Sequence, residues 1–199
     1  MSDSEPGVPE PAPETVPEPG TETEPETVPG VSEPGAGIGS GSGDGWVRCA
    51  YGHRHWGLFG AAGLLVRHHD DADPPGVDRV LLQHRASWSH HGGTWGIPGG
   101  ALDPGETARQ AALREAAEES DLDTAAAETV DEFVDDHGGW SYTTVVVRVP
   151  CAPPVAVRGA ESTELRWVRA DRLHELDLHP GFATSWPRVR ALGALPHTG

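Results

Sequence analysis

The chain has 199 residues, with 31 acidic against 14 basic side chains and a formal charge of −17 at pH 7. That length fits one domain with an appendage, and the negative balance argues against general nucleic-acid binding, which rests on Lys and Arg contacts to phosphate. No run approaches the roughly 18 apolar residues of a membrane span, and the acidic, proline-rich start lacks the basic and apolar regions of a secretory signal.

Residues 1–45 hold ten of the acidic residues and no Lys or Arg, so the remainder carries a formal charge of −7. Nine of the 19 prolines and a Gly/Ser run over 35–45 also lie there. Such a segment has almost nothing to bury and cannot offset the entropy of ordering its backbone, so a disordered acidic tail is expected. Residues 46–199 are expected to form one domain with a well-buried core. Cys49 and Cys151 stand about 100 residues apart with no CxxC spacing, which argues neither for a disulfide framework nor for zinc. A reduced, cytoplasmic protein fits best. His53, His55, His68 and His69 are expected to face solvent or make local hydrogen bonds, because none has zinc-site spacing.

Along the chain, residues 57–66 read as a buried strand with glycines where another backbone can approach. The Asp- and Pro-rich stretch 70–76 is a turn, and 77–84 a second strand that makes a hairpin with the first. Residues 94–98 are a short strand ending in Pro98-Gly99-Gly100. A helix follows from about 106 to 120, rich in Ala, Leu, Glu, Gln and Arg, with a slim face of Ala108, Ala111, Ala112 and Ala116 that can pack close to a sheet. Residues 128–136 and 140–149 read as an antiparallel pair around a His137-Gly138-Gly139 turn. Residues 164–169 add a strand, and 180–195 a terminal helix in which Pro187 must lie at a break or a first turn. Strands flanking a central helix, with a second helix at the end, predict an α/β layered sandwich with a mixed sheet.

The central helix carries the chemistry. Glu115, Glu118 and Glu119 stand at i, i+3 and i+4, so their carboxylates are neighbours that repel, with no Lys or Arg within the following turn. A hard divalent cation relieves that repulsion, since Mg²⁺ takes oxygen ligands from one or two carboxylates plus substrate phosphates. His90 and His91, just ahead of the glycine turn, can touch phosphate or base. Trp88 and Trp95 can stack on a base, although strand tryptophans are more often core.

Gly100, five residues, Glu106, seven residues, Arg114-Glu115 and then Glu118-Glu119, preceded by Trp95-Gly96-Ile97-Pro98-Gly99, resemble the Nudix box. The domain is similar to MutT-type Nudix hydrolases, which implies the Nudix fold, an α/β/α sandwich with a mixed sheet. The resemblance implies Mg²⁺-dependent (or Mn²⁺-dependent) hydrolysis of a nucleoside diphosphate linked to another moiety, including oxidised or non-standard nucleoside triphosphates. It implies Glu115, Glu118 and Glu119 as metal ligands, with the Gly99 carbonyl and Glu161 as additional ones. One of Glu118 and Glu119 acts on the attacking water. Gly100, Glu106 and Arg114 support the site, and Arg85 is placed like an arginine that contacts substrate. Sugar nucleotides, dinucleoside polyphosphates and a non-catalytic nucleotide-binding regulatory role stay open, as does oligomeric state. Asp121 stands where the box has a glycine that often takes the left-handed conformation, and Ala116 is small for its aliphatic slot.

Overall fold

A computed structural model describes residues 41–125 and 127–193. The expected tail at 1–45 and the end of the expected terminal helix therefore lie largely outside the described residues. In chain order the strands are β1 (Trp46–Arg48), β2 (Arg54–Trp56), β3 (Ala61–His69), β4 (Asp78–Arg85), β5 (Trp95–Gly96) and β6 (Gly99–Ala101). Helix α1 (Ala108–Glu119) follows, then β7 (Glu128–Asp136), β8 (Ser141–Arg148) and β9 (Ser162–Arg169), a 3-10 turn at Ala170–Glu175, and helix α2 (Pro180–Val189).

Seven strands form one mixed sheet with the path β5-β4-β3-β8-β7, β6 pairing with β3 and β9 with β4. The β3–β8 pair is parallel, and the other pairs are antiparallel. Side chains alternate across such a sheet. Leu64, Val66, Leu81, Val145 and Val147 face one layer, where Ala111, Ala112 and Ala116 of α1 meet them. Leu65, Val80, Leu82 and Val146 face the other, against Leu173, Phe182 and Val189. Both faces are covered, which is why these strands read as unbroken apolar runs in the sequence. The small side chain of Ala116 is compensated by Leu122 and the sheet leucines and valines around it.

Helix α1 opens on a capping box: Thr107 accepts from the Gln110 N–H, and the Gln110 side chain accepts from the Thr107 N–H. It ends differently from expectation. Ser120 steps out in an extended conformation and bridges to Val157, while Asp121 Oδ1 accepts from Ala156 N at 2.6 Å. Asp121 is not left-handed; pairing with the 156–158 segment satisfies this helix end, so no glycine is required.

Four further departures have physical causes. Residues 57–60 form a glycine turn ahead of β3, with Gly57 and Gly60 at φ 101° and 103°. The expected strand at 94–98 shortens to β5, and β6 begins beyond the Ile97-Pro98 break, at Gly99. The β1–β2 ribbon pairs by itself, and its three-residue strands are too short for a periodic signal. Pro187 sits inside α2 rather than at its start, where Pro180 already occupies the first helical position. Phe182, Trp186 and Val189 recur at helical spacing into the apolar layer, and their burial holds the last turn despite the missing N–H.

The chain after α2 is anchored by a buried ion pair. Arg67 and Asp78, each 2% exposed, bond at 2.9 Å, and Arg67 Nη1 also donates to the carbonyls of Arg190 and Leu192 at 2.9 and 2.6 Å. Arg148 approaches the same carboxylate at 3.4 Å. Asp78→Ala would strand two guanidinium groups without their counterion. An unfolding free energy lower by about 3–5 kcal/mol is expected in urea denaturation.

Candidate functional site

Strand β6 lies against the start of β3, with Gly99 opposite Gly63 and Gly100 opposite Ala62. The approach leaves no room for side chains. A Cβ at residue 99 would stand 2.4 Å from the Ala62 carbonyl oxygen, and one at residue 100 would stand 2.5–2.7 Å from the Glu115 carboxylate atoms. The Gly99 N–H donates to Glu119 Oε2 at 3.0 Å. Two carboxylates from successive turns of α1 are thus seated on two consecutive glycines.

Arg114 organises the approach. Its guanidinium grips Glu106 through two bonds of 3.0 and 2.9 Å, donates to Glu115 at 2.7 Å and reaches the Ala101 carbonyl at 2.9 Å. Glu106 in turn accepts from Asp103 N at 3.0 Å, tying the 102–106 loop to the helix. Glu118 is the outlying member, an exposed side chain 3.6 Å from Arg114 Nη1. Glu161, exposed in the loop before β9, faces Glu115 closely enough for its charge to be felt there.

The electrostatics follow from burial. Glu119, 7% exposed, is pushed up to about 7, chiefly by burial and further by the charge on Glu115, against the opposing Gly99 N–H. Glu115 is also raised, again by burial first, with Arg114 opposing. Glu106 is lowered because Arg114 bonds to it. A buried and a half-buried carboxylate beside an exposed third, with a glycine turn adjacent, form an all-oxygen donor set, and that set fits a hard divalent cation.

Arg85, at the end of β4, bears on Glu119 from one side and on His179 from the other. Its Nε donates to the His90 carbonyl at 3.1 Å. His90 and His91 stack edge to face at 4.0 Å, and His91 meets His179 at 4.9 Å. His179 is held down to about 4, mainly by burial and then by Arg85. His91 takes φ 54°, and it alone among the described non-glycine residues is left-handed. Trp95 is core, whereas Trp88 is 67% exposed on the same loop.

The structure adds residues that sequence reasoning missed. Gln83, 1% exposed, donates through its amide to Glu119 at 3.1 Å and spans to Ser162 at 2.6 Å. A lone polar side chain ending the apolar run of β4 was the available signal. Tyr142 is raised by burial and by the charge on Glu119, and its hydroxyl fills the space that Gly63 leaves open. His179, the N-cap of α2, carried no local signal. Cys49, His53 and His55, which lack zinc-site spacing in the sequence, stand with His137 so that their ligand atoms lie within 4.8 Å of one another. The fourth member comes from the distant β7–β8 turn, which spacing within one segment does not reveal.

A NUDIX domain family model matches residues 60–189. A Mycobacterium tuberculosis (strain H37Rv) protein with the provisional name 8-oxo-dGTP diphosphatase 3 is 48% identical over 160 residues, covering 77% of this chain and 72% of that protein. A Bifidobacterium longum nucleoside triphosphate pyrophosphatase/Nudix hydrolase fusion protein is 43% identical over 151 residues, covering 75% of this chain and 31% of that protein. The crystal structure of RenU, a Nudix hydrolase from M. smegmatis, superposes with a TM-score of 0.68 at 45% identity, covering 74% of this chain and 93% of RenU.

The raised Glu119 makes a signed prediction for the metal-free protein. Its folded pKa of about 7 lies above the ordinary 4.5. Between those values the folded state holds a proton that the unfolded state has released, so stability falls as pH rises through that window. Urea midpoints from pH 4.5 to 7.5 are expected to fall for the parent chain and to fall less for Glu119→Gln. An equally steep fall in the variant would refute the assignment.

Proposed function

We propose that this chain, which belongs to the Nudix family and hydrolyses phosphoanhydride bonds, is a Mg²⁺-dependent nucleotide pyrophosphohydrolase of oxidised or non-standard nucleoside triphosphates. The observation that carries the reading is the seating of Glu115 and Glu119 on Gly99-Gly100 with Arg85 beyond them. This is a cluster of negative donors with Arg114 within it and Arg85 beyond. The substrate class is supported by the names that the M. tuberculosis relatives carry.

Glu115, Glu118 and Glu119 would hold the metal, with the Gly99 carbonyl and Glu161 completing the set. Mg²⁺ held there would supply neutralisation of pyrophosphate charge and a more acidic water. The chain supplies positioning and proton transfer. Glu119, already engaged by Gly99 N–H and Gln83, is a holding group. Glu118, exposed and 3.6 Å from Arg114, would accept the proton of the attacking water. The water oxygen bonds to phosphorus, the bridging P–O bond breaks, and a nucleoside triphosphate yields a nucleoside monophosphate and pyrophosphate. Arg85, with His90 and His91 beside it, would meet the outer phosphates or the base.

Two measurements test this. Glu118→Gln is expected to lower kcat by about 10²–10⁴ with little change in KM, and wild-type turnover in that variant would remove Glu118 from the role. A panel of oxidised and ordinary nucleoside triphosphates, sugar nucleotides and dinucleoside polyphosphates, assayed with Mg²⁺, is expected to give the highest kcat/KM for an oxidised triphosphate. Preference for either of the other classes would overturn the substrate reading and leave the chemistry standing.

A further inference from the structure

A second cluster of metal-ligating side chains lies away from the glutamates. The β1–β2 ribbon closes through a tight turn in which Cys49 N donates to the His53 carbonyl at 3.0 Å and Gly52 N to the Cys49 carbonyl at 2.9 Å. His53 and His55 are two residues apart, so they share a face of the strand end. Ala50 N donates to the Gly138 carbonyl at 2.9 Å, which brings the ribbon against the turn between β7 and β8. A Cβ on Gly138 would stand 2.8 Å from that of Ala50, so the contact is close. His137, on this turn, completes the group.

Four side chains, Cys49 Sγ and one nitrogen each from His53, His55 and His137, hold their ligand atoms within 4.8 Å of one another. A tetrahedron with bonds of about 2.0–2.3 Å has edges of about 3.3–3.8 Å, so only a small contraction is needed. Cys49 is buried and unpaired with any other cysteine. His55 Nε2 is buried with no hydrogen-bond partner, a state that costs free energy unless something fills it. The ring stacks on Trp140 at 4.0 Å and 12°, and Trp140 Nε1 donates to the Gly57 carbonyl at 2.9 Å, so its orientation is fixed. Asp135 Oδ2 stands 3.5 Å from His137 Nε2, a carboxylate positioned to hold that ring by one nitrogen while the other ligates.

We propose that Cys49, His53, His55 and His137 form a structural zinc site that clamps the β1–β2 ribbon to the β7–β8 turn. One thiolate and three imidazoles are a borderline-soft donor set suited to Zn²⁺ and unsuited to Mg²⁺. Four protein ligands close the coordination sphere, which makes the site structural. The clamp reaches the substrate side, because Trp46 on the same ribbon meets His90 at 5.1 Å and lies under Arg54.

The test uses the full chain without a polyhistidine tag, dialysed against metal-free buffer and assayed for metal by mass spectrometry. About one zinc per chain is expected. Cys49→Ser and His55→Ala are each expected to fall to background, whereas His91→Asn, in the other histidine group, keeps its zinc. Removing a buried cysteine can itself unfold the ribbon, so a second measurement uses the unaltered sequence. Co²⁺ titrated into the metal-stripped chain is expected to give intense tetrahedral d–d bands and a thiolate-to-cobalt charge-transfer band, both abolished by Zn²⁺. The glutamate site, all oxygen, gives neither. Absence of those bands from the unaltered chain, or zinc retained equally in Cys49→Ser and His55→Ala, overturns the proposal.

Discussion

The site depends on the backbone contact between β6 and β3. Gly99 and Gly100 let one strand press on Ala62 and Gly63 and still leave the Glu115 and Glu119 carboxylates resting on the same two residues. Any side chain at either position would displace a neighbouring backbone or the Glu115 carboxylate. The helix that supplies those glutamates is slim for the same reason: alanines at 111, 112 and 116 let its axis come close to the sheet. Close approach is what buries Glu119, and burial is what raises its pKa. Geometry and electrostatics therefore share one cause.

An acidic domain that handles an acidic substrate must overcome its own field. Arg114 is occupied internally, divided among Glu106, Glu115 and the Ala101 carbonyl, so it organises the carboxylates more than it offsets their charge outward. Arg85 is placed between the carboxylates and the histidine group and faces both. A cation seated on the glutamates would complete the reversal of charge.

The two layers around the sheet serve different ends. The α1 layer carries the carboxylates, while the α2 layer brings His179 to Arg85 and is tied back by Arg67 and Asp78. The β1–β2 ribbon lies outside both, bound to the β7–β8 turn by Ala50 and to the histidine loop through Trp46. Neither the loop at 86–94 nor the ribbon at 46–56 contributes to the apolar layer under α1.

Local pattern alone determined a great deal here. The apolar runs of β3, β4 and β8, the alanine face of α1 and the spacing of Gly100, Glu106, Arg114, Glu115, Glu118 and Glu119 announced the sheet, the helix and the grouping of the carboxylates, because each is a periodicity or offset within a short stretch of chain. Tertiary structure alone decided the rest. Gln83 meets Glu119 across the sheet, His179 joins His90 and His91 from a separate helix, Ser120 ends its helix by pairing with Val157, and Cys49 meets His137 across some ninety residues. Each of these contacts joins elements far apart in the chain, and sequence spacing holds no information about a distance that only packing sets.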